Sequence, residues 1–112
     1  PYTFIMEATR ETPRRLQHEK RRTIGIRVPD HPVPQMLLTE LGEPIMSSTL
    51  MLPGDELPLN DGAEIASRLA RDLDALLDSG SCGLEPTTVV DLAASPAVVL
   101  RQGRGSIEPF GL

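Results

Sequence analysis

Short runs of β-forming residues alternate along this chain with two stretches of helical spacing, and proline or glycine marks most of the junctions. Residues 2–6 (Tyr-Thr-Phe-Ile-Met) and 23–28 (Thr-Ile-Gly-Ile-Arg-Val) predict two strands, the second ended by Pro29. Residues 44–52 predict a third, running through Ser47-Ser48-Thr49 to a break at Pro53-Gly54; residues 87–92 and 97–101 predict two more around Ala94-Ser95-Pro96. Val33, Met36, Leu37, Leu38 and Leu41 recur at helical spacing and predict a helix over 31–41. Asp30 stands at its capping position, Pro32 and Pro34 in its first turn and Gly42 at its end. After a loop over 53–62, Ile65, Leu69, Leu73 and Leu76 predict a second helix, capped by Asp61 or Asn60. Pro13 is placed to open a short basic helix in the polar stretch 7–22. Such alternation without internal repeats points to an α/β or α+β fold, a twisted mixed sheet with flanking helices. At 112 residues the chain holds one domain.

Composition removes several classes of function. Hydrophobic residues make up 39% of the chain, enough for a modest core, so collagen-like, coiled-coil and wholly disordered states are excluded. Aromatics are only 3% (Tyr2, Phe4, Phe110), which leaves an aliphatic core and no platform for stacking single-stranded bases. No stretch approaches the ~20 apolar residues of a membrane span and no signal-type segment opens the chain, so a soluble, cytoplasmic protein with no membrane partner is expected. The lone Cys82 can form neither an internal disulfide nor a multi-cysteine zinc site. Pro1 is not a natural start, and a strand follows it directly, so a fragment of a longer protein is expected.

The net charge of −5 conceals an asymmetry. Up to residue 27, Arg10, Arg14, Arg15, Lys20, Arg21, Arg22 and Arg27 face only Glu7, Glu11 and Glu19, a surplus of +4; the remainder carries four arginines against thirteen acids, or −9. A polyanion would meet one end of the chain, with Arg14, Arg15, Lys20, Arg21 and Arg22 as its contacts; plain solvated surface is the alternative.

His18 and His31 have no partner at metal-ligand spacing, so no metal site is expected; His31 suits a helix start where its ring bonds locally. Ser47, Ser48 and Thr49 at one predicted strand end and Thr87-Thr88 before another supply hydroxyls suited to phosphate or carboxylate oxygens. β-propensity and local turn bonding explain them equally well when each is taken alone. Together with Arg27 and Arg101 they make a clamp for a triphosphate or an RNA backbone, provided that the strands are neighbours. There is no Walker loop, and Gly103-Arg104-Gly105 lacks the spacing of a dinucleotide fingerprint. Asp72, Asp74 and Asp78 read as a solvated helix face, whereas Asp91 closes an apolar run and is expected to be half-buried or to cap a turn.

The segments PYTFIM, TIGIRVPDHP, PIMSST, PTTVVDL and VLRQG, in this order, resemble the C-terminal half of the YrdC/YciO family over essentially all of residues 1–112, closest to its YciO branch through the run from Ser47 to Gly54. The resemblance implies a twisted α/β sheet with a concave, positively charged surface, and binding of double-stranded RNA or tRNA. It also implies, in the catalytic members, a nucleotidyl transfer that makes threonylcarbamoyl-adenylate from ATP (with magnesium), L-threonine and bicarbonate for tRNA modification. Carried over, it places Thr3, Arg27, Ser47, Thr49, Thr87 and Arg101 round the nucleotide and the threonine.

Two departures bear on activity. The synthetase pattern Ser-Thr-Ser-Ala-Asn becomes Ser47-Ser48-Thr49-Leu50-Met51, which replaces an amide by a thioether and favours a non-catalytic RNA-binding module. The family's first half, with its phosphate-gripping lysine and arginine, has no counterpart in these residues, so turnover by this chain alone is not expected.

Overall fold

The computed structural model describes residues 1–81 and 83–111; Cys82, and with it the expectation about its chemistry, lies outside the described residues. Two units divide the chain, Pro1–Asp30 with Glu85–Leu112, and His31–Leu84. The fold is α+β: a four-stranded mixed sheet in the first unit and two α-helices in the second.

Strand β1 (Tyr2–Glu7) pairs antiparallel with β2 (Thr23–Ile26) on one side and parallel with β3 (Thr88–Asp91) on the other; β4 (Val98–Arg101) runs antiparallel to β3, giving the order β2-β1-β3-β4. The period of two in β1 sends Tyr2, Phe4 and Met6 to one face and Thr3, Ile5 and Glu7 to the other. In the parallel register Tyr2 lies beside Thr88 and Phe4 beside Val90, so Thr88 and Val90, both fully buried, share the aromatic face. Burying Val90 stabilises the sheet by roughly 1.5–3 kcal/mol. The C-terminal tail closes on that face. Phe110, in a short 3-10 turn (Glu108–Phe110), stands edge-on to Tyr2 and Phe4, with centroids 5.5 and 5.9 Å away, and the Tyr2 hydroxyl donates to the Ser106 carbonyl at 2.8 Å.

β4 is irregular where it matters. Val98 faces Asp91 and Val99 faces Val90, but Arg101 rather than Leu100 faces Val89. The extra residue, Leu100, shifts the alternation by one and turns Arg101 onto the face of Val89 and Thr3.

In the second unit, α1 (Pro32–Leu41) is capped by His31, not by Asp30: Pro32 has no N–H, so the first donor in reach is that of Val33, which bonds His31 Nδ1 at 3.1 Å. His31 thus bonds locally, as its position suggested. Gly42 ends α1 with a left-handed φ of 72°, which spares the cost a Cβ would add. Asp61 caps α2 (Gly62–Leu69), accepting from the Ala63 N–H at 2.9 Å. The helix stops at Leu69 and leaves Leu73 and Leu76 outside it; Asp72 and Asp74 are weak helix formers and put negative charge at the negative end of the dipole. Residues 44–52 form no strand. Their backbone meets the rest of the unit, among the described residues, through the Leu59 N–H to the Leu50 carbonyl at 2.9 Å and a turn at Leu52, whose carbonyl accepts from the Asp55 N–H at 3.0 Å and whose N–H donates to Asp55 Oδ2 at 3.3 Å; these bonds do not form a ladder.

Among the described residues no helix is long and apolar enough to cross a membrane.

Candidate functional site

The face of the sheet opposite the aromatics carries the first candidate site. Thr3 projects from the middle of β1, and Thr87 stands one residue before β3; their hydroxyls share a hydrogen bond of 2.8 Å. Arg101, turned to this face by the bulge, donates from Nε to the Thr87 carbonyl at 3.0 Å and from Nη2 to the Thr87 hydroxyl at 3.1 Å. Only a planar fork makes both bonds at once.

The polarity of this chain of bonds is informative. Arginine can only donate, so the Thr87 oxygen is an acceptor; whichever threonine donates to the other, one hydroxyl proton is left over. Three of the five guanidinium N–H groups of Arg101 also have no partner among the described residues. Thr87 is buried, and Arg101 is exposed. The cluster presents donors and a positive charge on a rigid strand end, so what it can bind is an acceptor: a carboxylate or a phosphate.

Behind Thr87 a second network keeps the strand end in place. The buried Thr88 hydroxyl accepts from the Gly103 and Gly105 N–H groups, each at 2.9 Å, and donates to the Gly105 carbonyl at 2.6 Å. The Arg104 N–H donates to the Pro86 carbonyl at 3.0 Å. Gly103 and Gly105 are required by this approach: a Cβ on Gly103 would meet the Pro86 and Thr87 carbonyls, and one on Gly105 would meet the Tyr2 ring. Sequence reasoning gave Thr88 no separate role. The available signal was the Thr87-Thr88 doublet entering a strand, since adjacent residues must point to opposite faces.

Of the other residues expected at this site, Arg27 is exposed just beyond β2. Ser47 and Thr49 lie exposed in the irregular 44–52 segment of the second unit, where neither hydroxyl has a bond among the described residues. Hydrogen bonds join Thr3, Thr87 and Arg101 within the first unit. Asp91, at the end of β3, is half-buried and caps a turn, its Oδ1 accepting from the Ala93 and Ala94 N–H groups at 2.9 and 3.3 Å.

The connection from β1 to β2 makes a second candidate. It contains the short basic helix expected after Pro13, as a single 3-10 turn (Arg14–Leu16), and it is held by its own bonds: Ala8 N–H to the Arg22 carbonyl at 2.9 Å, Arg22 N–H to the His18 carbonyl at 3.0 Å, and the Lys20 and Arg21 N–H groups to His18 Nδ1, both at 3.2 Å. A cleft of about 750 Å³ lies in it, lined by Arg10, Arg14, Arg15 and Arg22 with His18 and Glu19. Lys20 and Arg21 flank the cleft without lining it. Among the described residues none of these cations is in an ion pair; the salt bridges found join Arg68 to Asp55 and Glu64 in the second unit. No three of His, Cys, Asp or Glu among the described residues converge to hold a metal.

The model of the Sua5/YciO/YrdC domain, described as telomere recombination, matches residues 1–103. The uncharacterized protein YciO of Escherichia coli is 50% identical over 109 residues, 97% of this chain and 53% of its own length; its crystal structure superposes with a TM-score of 0.90 over the same shares. A threonylcarbamoyl-AMP synthase of Photobacterium profundum is 35% identical over 104 residues, 92% of this chain and 54% of its own. The chain spans about half the length of the curated relatives it matches.

Proposed function

Because the chain belongs to the Sua5/YciO/YrdC family, we propose that it is the C-terminal half of a domain that binds ATP and L-threonine and makes threonylcarbamoyl-AMP for tRNA modification in the cytoplasm. The observation that supports this reading is the donor-only cluster of Thr3, Thr87 and Arg101, whose free N–H and O–H groups match the carboxylate of threonine or a phosphate of ATP. In the reaction the amino nitrogen of threonine bonds to the carbon of bicarbonate with loss of water, an oxygen of the resulting carbamate bonds to the α-phosphorus of ATP, and the bond to pyrophosphate breaks. Arg101 would balance the charge that this transfer spreads over the phosphate oxygens. Arg27, in the same unit, is proposed as a further contact to the same ligands, and magnesium as the counterion of ATP.

The test is threonine-dependent release of pyrophosphate from ATP by the full-length protein, alongside calorimetric titration of this chain with each ligand. Arg101→Lys keeps the charge and removes the fork, so affinity for the anionic ligand is expected to fall at least about tenfold, one charge-assisted bond being worth roughly 1.5–3 kcal/mol. Unchanged affinity in Arg101→Lys would remove Arg101 from the site.

A second reading, a double-stranded RNA- or tRNA-binding module without catalysis, is favoured by the cleft of unpaired cations between β1 and β2 and by Met51 in place of the family's asparagine. Replacing Arg14, Arg15, Arg21 and Arg22 together by alanine is then expected to weaken binding to RNA duplexes of any sequence. It should also flatten the slope of log K against log salt, because each lost phosphate contact no longer releases a counterion. A slope the same as that of the unmodified chain would leave these side chains as solvated surface.

A further inference from the structure

Gly25 sits in the middle of β2, where glycine weakens a strand and is kept only for a reason. The usual reasons fail. Its φ is not in the left-handed range occupied by Gly42, Gly54, Gly80 and Gly111. The ladder with β1 is regular through it, Phe4 facing Ile26, Ile5 facing Gly25 and Met6 facing Ile24, so there is no bulge. Nor does a neighbour forbid a side chain: a Cβ would meet Thr3 Cγ2 at 3.5 Å and Ile5 Cδ1 at 3.6 Å, both ordinary contacts. What remains is a close approach by something bound to that face. The same face holds Thr3, whose hydroxyl bonds Thr87, which in turn holds Arg101.

We propose that the bare backbone of Gly25 is the floor of the ligand site, on which the organic body of an anionic small molecule rests while its carboxylate or phosphate is held at Thr3, Thr87 and Arg101. The inference deepens the nucleotide- and threonine-binding reading and rests on it. It makes Gly25 a residue that selects ligands by the space it leaves.

The test uses the full-length protein, labelled with nitrogen-15, and two probes in separate titrations, ATP with magnesium and L-threonine. Whichever probe is the ligand is expected to shift the amide signals of Thr3, Gly25 and Thr87 together. Gly25→Val is expected to keep the fold and to raise the melting temperature, since valine favours a strand and a Cβ there makes only ordinary contacts. It is also expected to weaken that probe's binding by at least about tenfold, with Gly25→Ala between the two. Binding of a probe at full strength by Gly25→Val overturns the inference and leaves the reading of the site intact. Shifts absent for both probes at millimolar concentration overturn both. A Gly25→Ala variant that loses its fold, or changes its association state while binding its probe normally, shows that the glycine admits another backbone instead, and likewise overturns the inference.

Discussion

Replacing Thr88 by valine is expected to unfold the sheet unit under conditions in which the unmodified chain is folded. Valine matches threonine in shape, so packing is unchanged; what disappears is a fully buried hydroxyl that serves two N–H groups and one carbonyl. The Gly105 N–H and carbonyl are then left without a partner away from water, and the half-buried Gly103 N–H loses its acceptor. Each buried group costs about 1–3 kcal/mol, so the loss is at least ~2 kcal/mol. Against the 5–15 kcal/mol typical of small domains this is a large share, and more so here, since among the described residues the buried hydrophobic side chains are only Ile65 and Val90. Urea denaturation followed by circular dichroism measures it, with Thr88→Ser as the control that keeps the oxygen. A valine midpoint no lower than that of serine would refute the account.

The second large effect is expected at Gly103. Alanine there would drive its Cβ into the carbonyl of Pro86, with the Thr87 oxygen 2.6 Å and the Thr87 carbonyl carbon 2.7 Å away. These are backbone atoms, so no rotamer relieves the clash, and overpacking of this kind costs roughly 1–3 kcal/mol or more. The strain falls on the residue whose carbonyl and hydroxyl orient Arg101. Stability and ligand affinity are therefore expected to fall together, whereas Gly25→Val separates them. Paired measurement of melting temperature and anion titration distinguishes the two glycines; a Gly103→Ala chain as stable as the parent would refute the steric argument.

The strands were legible from their composition and their breaks. Residues 2–6, 87–92 and 97–101 are short runs rich in β-branched, aromatic and other apolar side chains, and three observed strands lie at these places. Caps were legible where one side chain decides, as at Asp61 and Gly42. The end of α2 was not, because the apolar spacing through Leu73 and Leu76 continues past the point where Asp72 and Asp74 make a helix unfavourable. Residues 44–52 have strand composition, but a strand exists only with a neighbour, and pairing is not written in the segment itself. For the candidate site, Thr87 and Arg101 were singled out for the donors they carry, and Thr3 only through the family resemblance. Their convergence depends on the parallel pairing of β1 with β3 and on the bulge at Leu100, neither of which a linear pattern reveals. The roles of Gly25 and Gly103 were not legible for the same reason: a glycine's meaning lies in what approaches it.

The aromatic face gives the protein an optical reporter of its own. With no tryptophan and a single tyrosine, the near-ultraviolet emission of the chain comes from Tyr2 alone. That ring is stacked on Phe4 at 5.4 Å, met edge-on by Phe110, and its hydroxyl is held by Ser106. Detachment of the C-terminal segment removes the Phe110 ring and frees the phenol to water, while separation of β1 from β3 leaves the segment with nothing to close on. Tyrosine anisotropy and lifetime therefore follow the joining of the two ends of this unit without any introduced label, and can be recorded during the same ligand titrations.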